Sequence, residues 1–209
     1  PDQLLCAVTT TKLAATAVSG NSTGKWTVTT GSAQLADASK ANTGVTGLII
    51  GTNTFRWTVT DALCPAQKTD DIIVTVRPQT TKADAGKDTA FCGSANTELI
   101  LYGNKPESWE KGKWTVVSTG GNPQPTFAND ALFNTKITGL IPGKYQLKWT
   151  IFSDATGCAP TEDAMEITVG AQTAEAVAGP DQLLCAVTTT TLAATAVSGN
   201  STGKWTVTT

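Results

Sequence analysis

The chain contains no histidine, and this absence excludes several classes of function. Serine and cysteine nucleophiles are usually activated by a histidine base, so no Ser-His-Asp or Cys-His arrangement can form. A zinc site lacks imidazole ligands, and no Cys-x-x-Cys spacing replaces them. The adjacent carboxylates Asp70-Asp71 and Glu162-Asp163 fall on predicted strands, where neighbouring side chains face opposite sides, so neither pair suits acid–base catalysis. We therefore expect no enzyme activity and no cofactor.

Charge and long hydrophobic runs are also scarce. Charged residues make up 15% of the chain, the net charge is −2, and no basic run occurs. This composition argues against nucleic acid as a partner. No apolar stretch approaches the length of about 18 residues that a spanning helix needs, so we expect no membrane span in this segment.

What the chain does contain is repetition. Residues 1–30 return at 180–209 with a single difference, Lys12 against Thr191, at a constant offset of 179 residues. A long period with so little drift is typical of a tandem array. A weaker repeat lies inside it, since GKWTV at 24–28 returns at 112–116. We divide the chain into unit A (1–80), unit B (81–173) and the truncated start of a second unit A (174–209), and we expect it to be a segment of a longer protein.

Both units carry the alternation of apolar and polar residues that marks strands with one buried face. Threonine, which favours strands, occurs 39 times. We predict seven strands in each unit, at 3–8, 11–18, 24–29, 33–36, 43–47, 53–60 and 70–77, and at 89–93, 97–102, 112–118, 125–128, 134–138, 144–152 and 162–169. The predicted fold is all-β, with tandem seven-stranded immunoglobulin-like β-sandwiches arranged end to end.

Large aromatic side chains are expected to build the two cores. We predict one tryptophan for each sheet, Trp26 and Trp57 in unit A and Trp114 and Trp149 in unit B.

The five cysteines follow the repeat. Cys6 and Cys64 in unit A match Cys92 and Cys158 in unit B, which predicts one disulfide inside each unit and an oxidising, extracytoplasmic location. The alternative is a pair of reduced core cysteines in each unit. Cys185 is the copy of Cys6, so its partner is expected outside this segment.

Three further positions are candidate sites. Asp84 and Asp88 lie in the segment between the units and are weak calcium candidates, although acidic residues there equally suit turns. Trp109 lies in an eight-residue insertion of unit B, 104–111, and either contacts a ligand or covers the end of its own domain.

Several motifs resemble one family. AGPDQLLC (178–185), the two GKWTV strands, the TGL turns at 46 and 138 that precede a tryptophan strand, and DDIIVTV (70–76) are similar to bacterial immunoglobulin-like repeats of the polycystic-kidney-disease-like (PKD-like) kind. Such repeats occur in giant surface adhesins of Bacteroidetes. The resemblance implies a β-sandwich, type IX secretion, a bacterial cell-surface location and a role in adhesion or gliding motility. It also marks Thr89, in Asp88-Thr89-Ala90, as a possible O-glycosylation site.

Three hypotheses of function remain open. In the first, the array is a stalk or filament that holds a distal adhesive region away from the cell. In the second, each repeat binds a surface glycan or protein weakly and the array gains by multivalency. In the third, the repeats accompany a secreted enzyme. Expected partners are neighbouring repeats of the same chain, laterally associated chains, and a surface glycan or protein.

Overall fold

The molecule consists of β-strands and connections. The structure, a computed structural model, describes residues 1–63, 67–94, 96–173, 175–197 and 201–208. These ranges contain no helix, and hence none long and apolar enough to cross a membrane. The strands of unit A are β1 (Gln3–Cys6), β2 (Thr10–Ala14), β3 (Ser22–Thr30), β4 (Gln34–Leu35), β5 (Asn42–Thr46), β6 (Gly51–Asp61) and β7 (Lys68–Arg77). Those of unit B are β8 (Thr89–Gly93), β9 (Thr97–Tyr102), β10 (Glu110–Ser118), β11 (Thr126–Phe127), β12 (Asn134–Leu140), β13 (Gly143–Ser153) and β14 (Thr161–Ala171).

Each unit is a sandwich of two sheets. In unit A the sheet orders are β1-β7-β6-β3 and β2-β5-β4, and in unit B they are β10-β13-β14-β8 and β11-β12-β9. The first strand of each unit pairs in parallel with the last, β1 with β7 and β8 with β14, and all other pairs are antiparallel. The predicted all-β fold, with two seven-stranded immunoglobulin-like sandwiches in tandem, is confirmed. The described residues after Ala171 form no strand, and the domain boundaries stay predictions.

Paired tryptophans form the centre of both cores. Trp26 on β3 lies directly opposite Trp57 on β6, with ring centroids 5.1 Å apart, and Trp114 and Trp149 repeat the arrangement at 5.0 Å. All four are buried. The prediction of one tryptophan per sheet is therefore wrong. Both rings of a unit belong to the four-stranded sheet, because the two tryptophan-bearing strands are neighbours in it.

The glycine of the GKWTV motif is explained by the same pair. The six-membered ring of Trp57 lies over Gly24, and that of Trp149 lies over Gly112. A Cβ atom at either glycine would overlap the ring. The repeated glycine thus provides the space in which the second tryptophan packs.

The turn after TGL is fixed by a buried polar side chain in each unit. In unit A the Nδ2 group of Asn53 donates to the Ile49 carbonyl at 2.9 Å, while its Oδ1 accepts the Ile49 N–H at 3.2 Å. In unit B the Tyr145 hydroxyl forms the same two bonds with Ile141, at 3.1 and 2.9 Å. Two different side chains therefore satisfy the same buried turn, in keeping with the rule that buried polar groups are paired.

We expect Gly24→Ala to destabilise the chain by about 1–3 kcal/mol, the usual cost of overpacking a core. The matched control is Gly44→Ala in the same unit, where the nearest atom to the added Cβ lies 3.7 Å away, an ordinary contact. Urea denaturation followed by tryptophan fluorescence measures both free energies of unfolding. Equal midpoints for the two variants would contradict this account of the motif.

Candidate functional site at the junction between the units

The linker between the units is packed into unit B. Ala83 and Ala85 are buried, with 3% and 1% of their surface exposed, and both belong to the hydrophobic core of that unit. The same buried cluster contains the tryptophan pair, Trp114 and Trp149. The linker is therefore packed as part of unit B, and it does not act as a flexible tether between the units.

Side chains of unit B hold the linker backbone at successive alternate residues. The Glu110 carboxylate accepts the Thr81 N–H at 2.7 Å, the Thr161 hydroxyl oxygen accepts the Ala83 N–H at 3.0 Å, and the Asp163 carboxylate accepts the Ala85 N–H at 2.7 Å. Asn104 adds a second set of bonds, which includes donation from its Nδ2 group to the Lys82 carbonyl at 2.9 Å. These bonds fix the direction in which the chain enters unit B.

A connection of unit B also pairs with the first strand of unit A. The residues between β13 and β14 place Thr156 beside Leu5 in a parallel β-bridge. The Cys6 N–H donates to the Thr156 carbonyl at 3.0 Å, and the Thr156 N–H donates to the Leu4 carbonyl at 2.9 Å. The two units therefore share backbone hydrogen bonds as well as a peptide linker.

A disulfide bond closes this contact. Cys6 of unit A is bonded to Cys158 of unit B, with the two Cα atoms 5.1 Å apart, and both sulfur atoms lie 3.5 Å from the Pro78 carbonyl oxygen. Among the described cysteines, Cys92 and Cys185 are free and exposed, while Cys64 lies outside the described residues. The expected disulfides within units, Cys6 with Cys64 and Cys92 with Cys158, are wrong.

Strand direction explains the correction. Cys6 is the last residue of β1 and lies opposite Arg77, the last residue of β7, because these strands run in parallel. The connection that carries Cys64 leads into β7 at Lys68. Ten residues of strand separate the two ends of β7, or about 30 Å. A disulfide requires Cα atoms within about 7 Å. Cys6 lies at the Arg77 end of β7, far from the Lys68 end, and it therefore bonds with the next unit.

The bond between the units couples their stabilities. It joins residues that are 152 positions apart, and a closed loop of that length lowers the entropy of the unfolded chain by an amount worth up to about 5 kcal/mol in the chain-entropy model. Both sandwiches lie largely inside that loop. Unfolding of either unit is therefore opposed by the same covalent constraint.

Trp109 lies at the junction as well. Its ring is partly buried, and the Arg77 guanidinium carbon sits 5.6 Å from the ring centroid, within the range of a cation–π interaction. Arg77 ends the last strand of unit A, so the insertion of unit B brings its aromatic ring against the neighbouring unit. Whether Trp109 also contacts a ligand stays a prediction.

The acidic and hydroxyl candidates near the linker bond to nearby backbone. Asp84 Oδ1 accepts the Gly86 N–H, and Asp88 Oδ1 accepts the Glu166 N–H, each at 2.8 Å. The Thr89 hydroxyl donates to the Lys87 carbonyl at 3.2 Å. Within the ranges that the structure describes, no group of three or more His, Cys, Asp or Glu side chains is placed to hold a metal ion. Glycosylation of Thr89 stays a prediction.

The adjacent carboxylates act separately. Glu162 pairs with Lys148 at 2.9 Å, while its neighbour Asp163 holds the linker. In unit A, Asp71 forms a two-pronged pair with Arg56 at 2.7 and 2.8 Å, and this pairing lowers the pKa of the Asp71 carboxyl below its ordinary value. Glu162 and Asp71 thus form ion pairs on strand surfaces, and Asp163 binds the linker backbone.

Several solved structures are similar to this chain. The PKD domain of the KIAA 1837 protein is 29% identical over 41% of this chain and 88% of that domain, with a TM-score of 0.34. The I67–I69 fragment of titin is 13% identical over 81% of this chain and 62% of the fragment, with a TM-score of 0.45. Extracellular domains 3–5 of Drosophila OTK are 11% identical over 80% of this chain and 59% of theirs, with a TM-score of 0.49.

The chain thus spans less than two thirds of the titin and OTK structures. No protein-family model and no curated protein matches the chain. The assignment of the fold therefore rests on the strand order and sheet pairing described above.

We expect three free thiols in the oxidised 209-residue chain. Among the described cysteines Cys6 and Cys158 are bonded and Cys92 and Cys185 are free, so Cys64, which lies outside the described residues, has no partner left. Thiol titration in denaturant without reductant gives the count. Disulfides within units would leave one free thiol. Digestion with trypsin and a Glu-specific protease should also yield peptide 1–12 linked to peptide 149–162, and the Cys158→Ser variant should lose that species.

Proposed function

We propose that this chain is a structural stalk or filament segment of a long bacterial cell-surface adhesin. The observation that carries the proposal is the junction, where a packed linker, a backbone bridge and the Cys6–Cys158 bond join consecutive sandwiches. A stalk needs stiffness and resistance to extension, and tandem copies supply its length. The absence of histidine from the sequence accords with a role without catalysis.

The direction of load through unit A supports this role. Tension that enters at the start of β1 and leaves at the end of β7 pulls these parallel strands past one another, since the two points lie at opposite ends of the pair. All backbone bonds of the pair then share the load. That loading applies to the reduced chain. In the oxidised chain the disulfide gives a direct route from Cys6 into unit B, so that most of unit A carries little of the tension.

The cellular setting is argued from the motifs and the disulfide. Disulfides persist in oxidising, extracytoplasmic locations. The AGPDQLLC and GKWTV motifs resemble repeats of type IX-secreted adhesins of Bacteroidetes, in particular those of the gliding-motility adhesin SprB. We therefore place the stalk on the outer surface of such a cell, in adhesion or gliding motility, and extend the proposal to lateral association of neighbouring chains.

Single-molecule pulling on the 209-residue chain tests the stalk. Because the bond spans 152 residues, and an extended residue contributes about 3.3–3.6 Å, the oxidised chain should extend about 500 Å less than the reduced chain. The Cys6→Ser variant under oxidising conditions is the matched control and should extend as the reduced chain does. Equal extension of oxidised and reduced wild-type chains would refute the load-bearing role of the junction.

The competing function is an array of glycan- or protein-binding modules, for which Trp109 is the candidate contact. Its contact with Arg77 favours a structural role. We expect Trp109→Ala to leave adhesion of cells unchanged and to lower stability by about 0.5–1 kcal/mol through the lost cation–π contact alone. Tyr102→Ala, at a residue with 65% of its surface exposed, is the control for removal of an aromatic ring. Loss of adhesion with Trp109→Ala alone, at unchanged stability, would favour the binding array.

A further inference from the structure

We propose that the junction from unit B to the following unit A is closed by its own disulfide, between Cys92 and the cysteine that corresponds to Cys64 in the next period. The inference does not depend on the adhesive role, since it concerns the way in which consecutive units are joined. Three separate observations carry it.

The first is the position of Cys92. It lies opposite Gly170 in the parallel pair of β8 and β14, just as Cys6 lies opposite Arg77 in the pair of β1 and β7. Alignment of the linkers 77–88 and 170–181 places Gly170 at the position of Arg77. Cys6 is 4% exposed beneath the connection that carries Cys158, whereas Cys92 is exposed and unbonded. Cys92, one residue before the end of β8, thus occupies the position that Cys6 has in unit A, but without a bonded partner.

The second observation is an open groove in unit A. It has a volume of about 450 Å³, and its lining includes Trp57, Val59, Asp70 and Ile72. The corresponding residues of unit B are Trp149, Ile151, Asp163 and Met165, and that surface is the one covered by Ala83 and Ala85 of the linker. Unit A therefore has the seat for a linker that arrives from a preceding unit. Ala176 and Ala178 of the second linker align with Ala83 and Ala85.

A buried donor in this groove lacks a partner. Trp57 is 6% exposed, and its indole Nε1 group has no hydrogen-bond acceptor. The matching Nε1 group of Trp149 donates to the Asn104 carbonyl at 3.2 Å, and Asn104 is itself bonded to the linker. Unit A thus lacks the acceptor that the Asn104 segment, which is bonded to the linker, provides in unit B.

The third observation comes from the start of the second unit A. The Thr195 N–H donates to the Val177 carbonyl at 2.9 Å. At the first junction the Asn104 N–H donates to the Asp84 carbonyl at the same distance, and Val177 aligns with Asp84. The second linker therefore begins to dock on its unit as the first one does. If the second junction repeats the first, where the connection between β13 and β14 meets Cys6, the corresponding connection of the following unit A meets Cys92.

Formation of the bond follows ordinary thiol–disulfide exchange. The thiolate of one cysteine attacks the disulfide of a protein oxidant and releases one thiolate of that oxidant. The thiolate of the other cysteine then displaces the second oxidant sulfur. Two protein thiols are oxidised to one disulfide, the disulfide of the oxidant is reduced to a dithiol, and the two protons pass to that dithiol.

The proposed bond would give every junction two covalent connections. One continuous track would use the segment from Cys64 to Cys92, 28 residues apart, and then cross to the next unit A through the proposed disulfide. The other would use the segment from Cys158 to Cys185, 27 residues apart, and cross through copies of the Cys6–Cys158 bond. Most of each 179-residue period would lie outside both tracks.

The test is a disulfide map of the natural array, isolated from the cells that produce it with free thiols blocked at lysis. After digestion with trypsin and a Glu-specific protease without reductant, we expect peptide 57–68, which contains Cys64, to be linked to peptide 88–98, which contains Cys92. In the same digest, peptide 149–162, which contains Cys158, should be linked to the first-strand cysteine and serves as the internal control.

Three results would overturn the inference. They are recovery of peptide 88–98 with a blocked thiol, its linkage to the Cys158 peptide, and linkage of 57–68 to 88–98 only in species that reductant separates into individual chains. The last result would show that the bond joins different chains. The linked pair in a single chain supports the inference when the 209-residue chain, which holds Cys64 and Cys92 of one period, shows both as free thiols. That outcome stands whether or not the stalk proposal survives the pulling experiment.

Discussion

The parallel pairing of the first strand with the last in each unit determines how the units are joined. A first strand that ran antiparallel to β7 would bring Cys6 to the end of the sandwich where the chain arrives. The parallel strand instead carries Cys6 to the end where the chain leaves, opposite Arg77. The bridge to Thr156 and the bond to Cys158 follow from that placement. The parallel direction of β1 thus places Cys6 where it can bond with the neighbouring unit and not within its own.

The linker between the units also completes the core of unit B, the sandwich that follows it. Ala83 and Ala85 are buried in the same cluster as the tryptophan pair, and the side chains of Thr161 and Asp163 accept their backbone N–H groups. A sandwich that needs a linker to cover its core is stabilised by its neighbour. Stability in such an array resides in the interfaces as well as in the repeats, as in other quasi-one-dimensional proteins.

Much of this structure could be predicted from local pattern. The alternation of apolar residues predicted all fourteen strands, with differences of a few residues at their ends, because side-chain burial sets that period. The tryptophan cores were also predictable from residue type. The assignment of one tryptophan to each sheet was wrong, because the order of strands in a sheet is a long-range property. A single unit's sequence pattern does not distinguish β3 beside β6 from β3 on the facing sheet.

The candidate site was less predictable for the same reason. The cysteines were recognised as structural, but their partners depend on the direction of β1 and on contacts between units, neither of which leaves a local signal. Arg77 and Thr156 have no distinctive motif, although both lie at the junction. The sequence does show that Cys6 lies in the first strand segment and that Cys64 precedes the last, but the ends at which these strands meet depend on their direction.

The long reach of the Cys6–Cys158 bond also imposes an order on maturation. If unit A is exported or synthesised first, Cys6 keeps a free thiol until the residues up to 158 have emerged and unit B has begun to fold. Cys64 and Cys92 become available earlier and are competitors for premature pairing. The length of β7, which holds Cys6 away from the connection before Lys68, then acts as a spacer that suppresses the wrong bond. Rapid folding of each sandwich is in this way a safeguard against scrambled cross-links along the array.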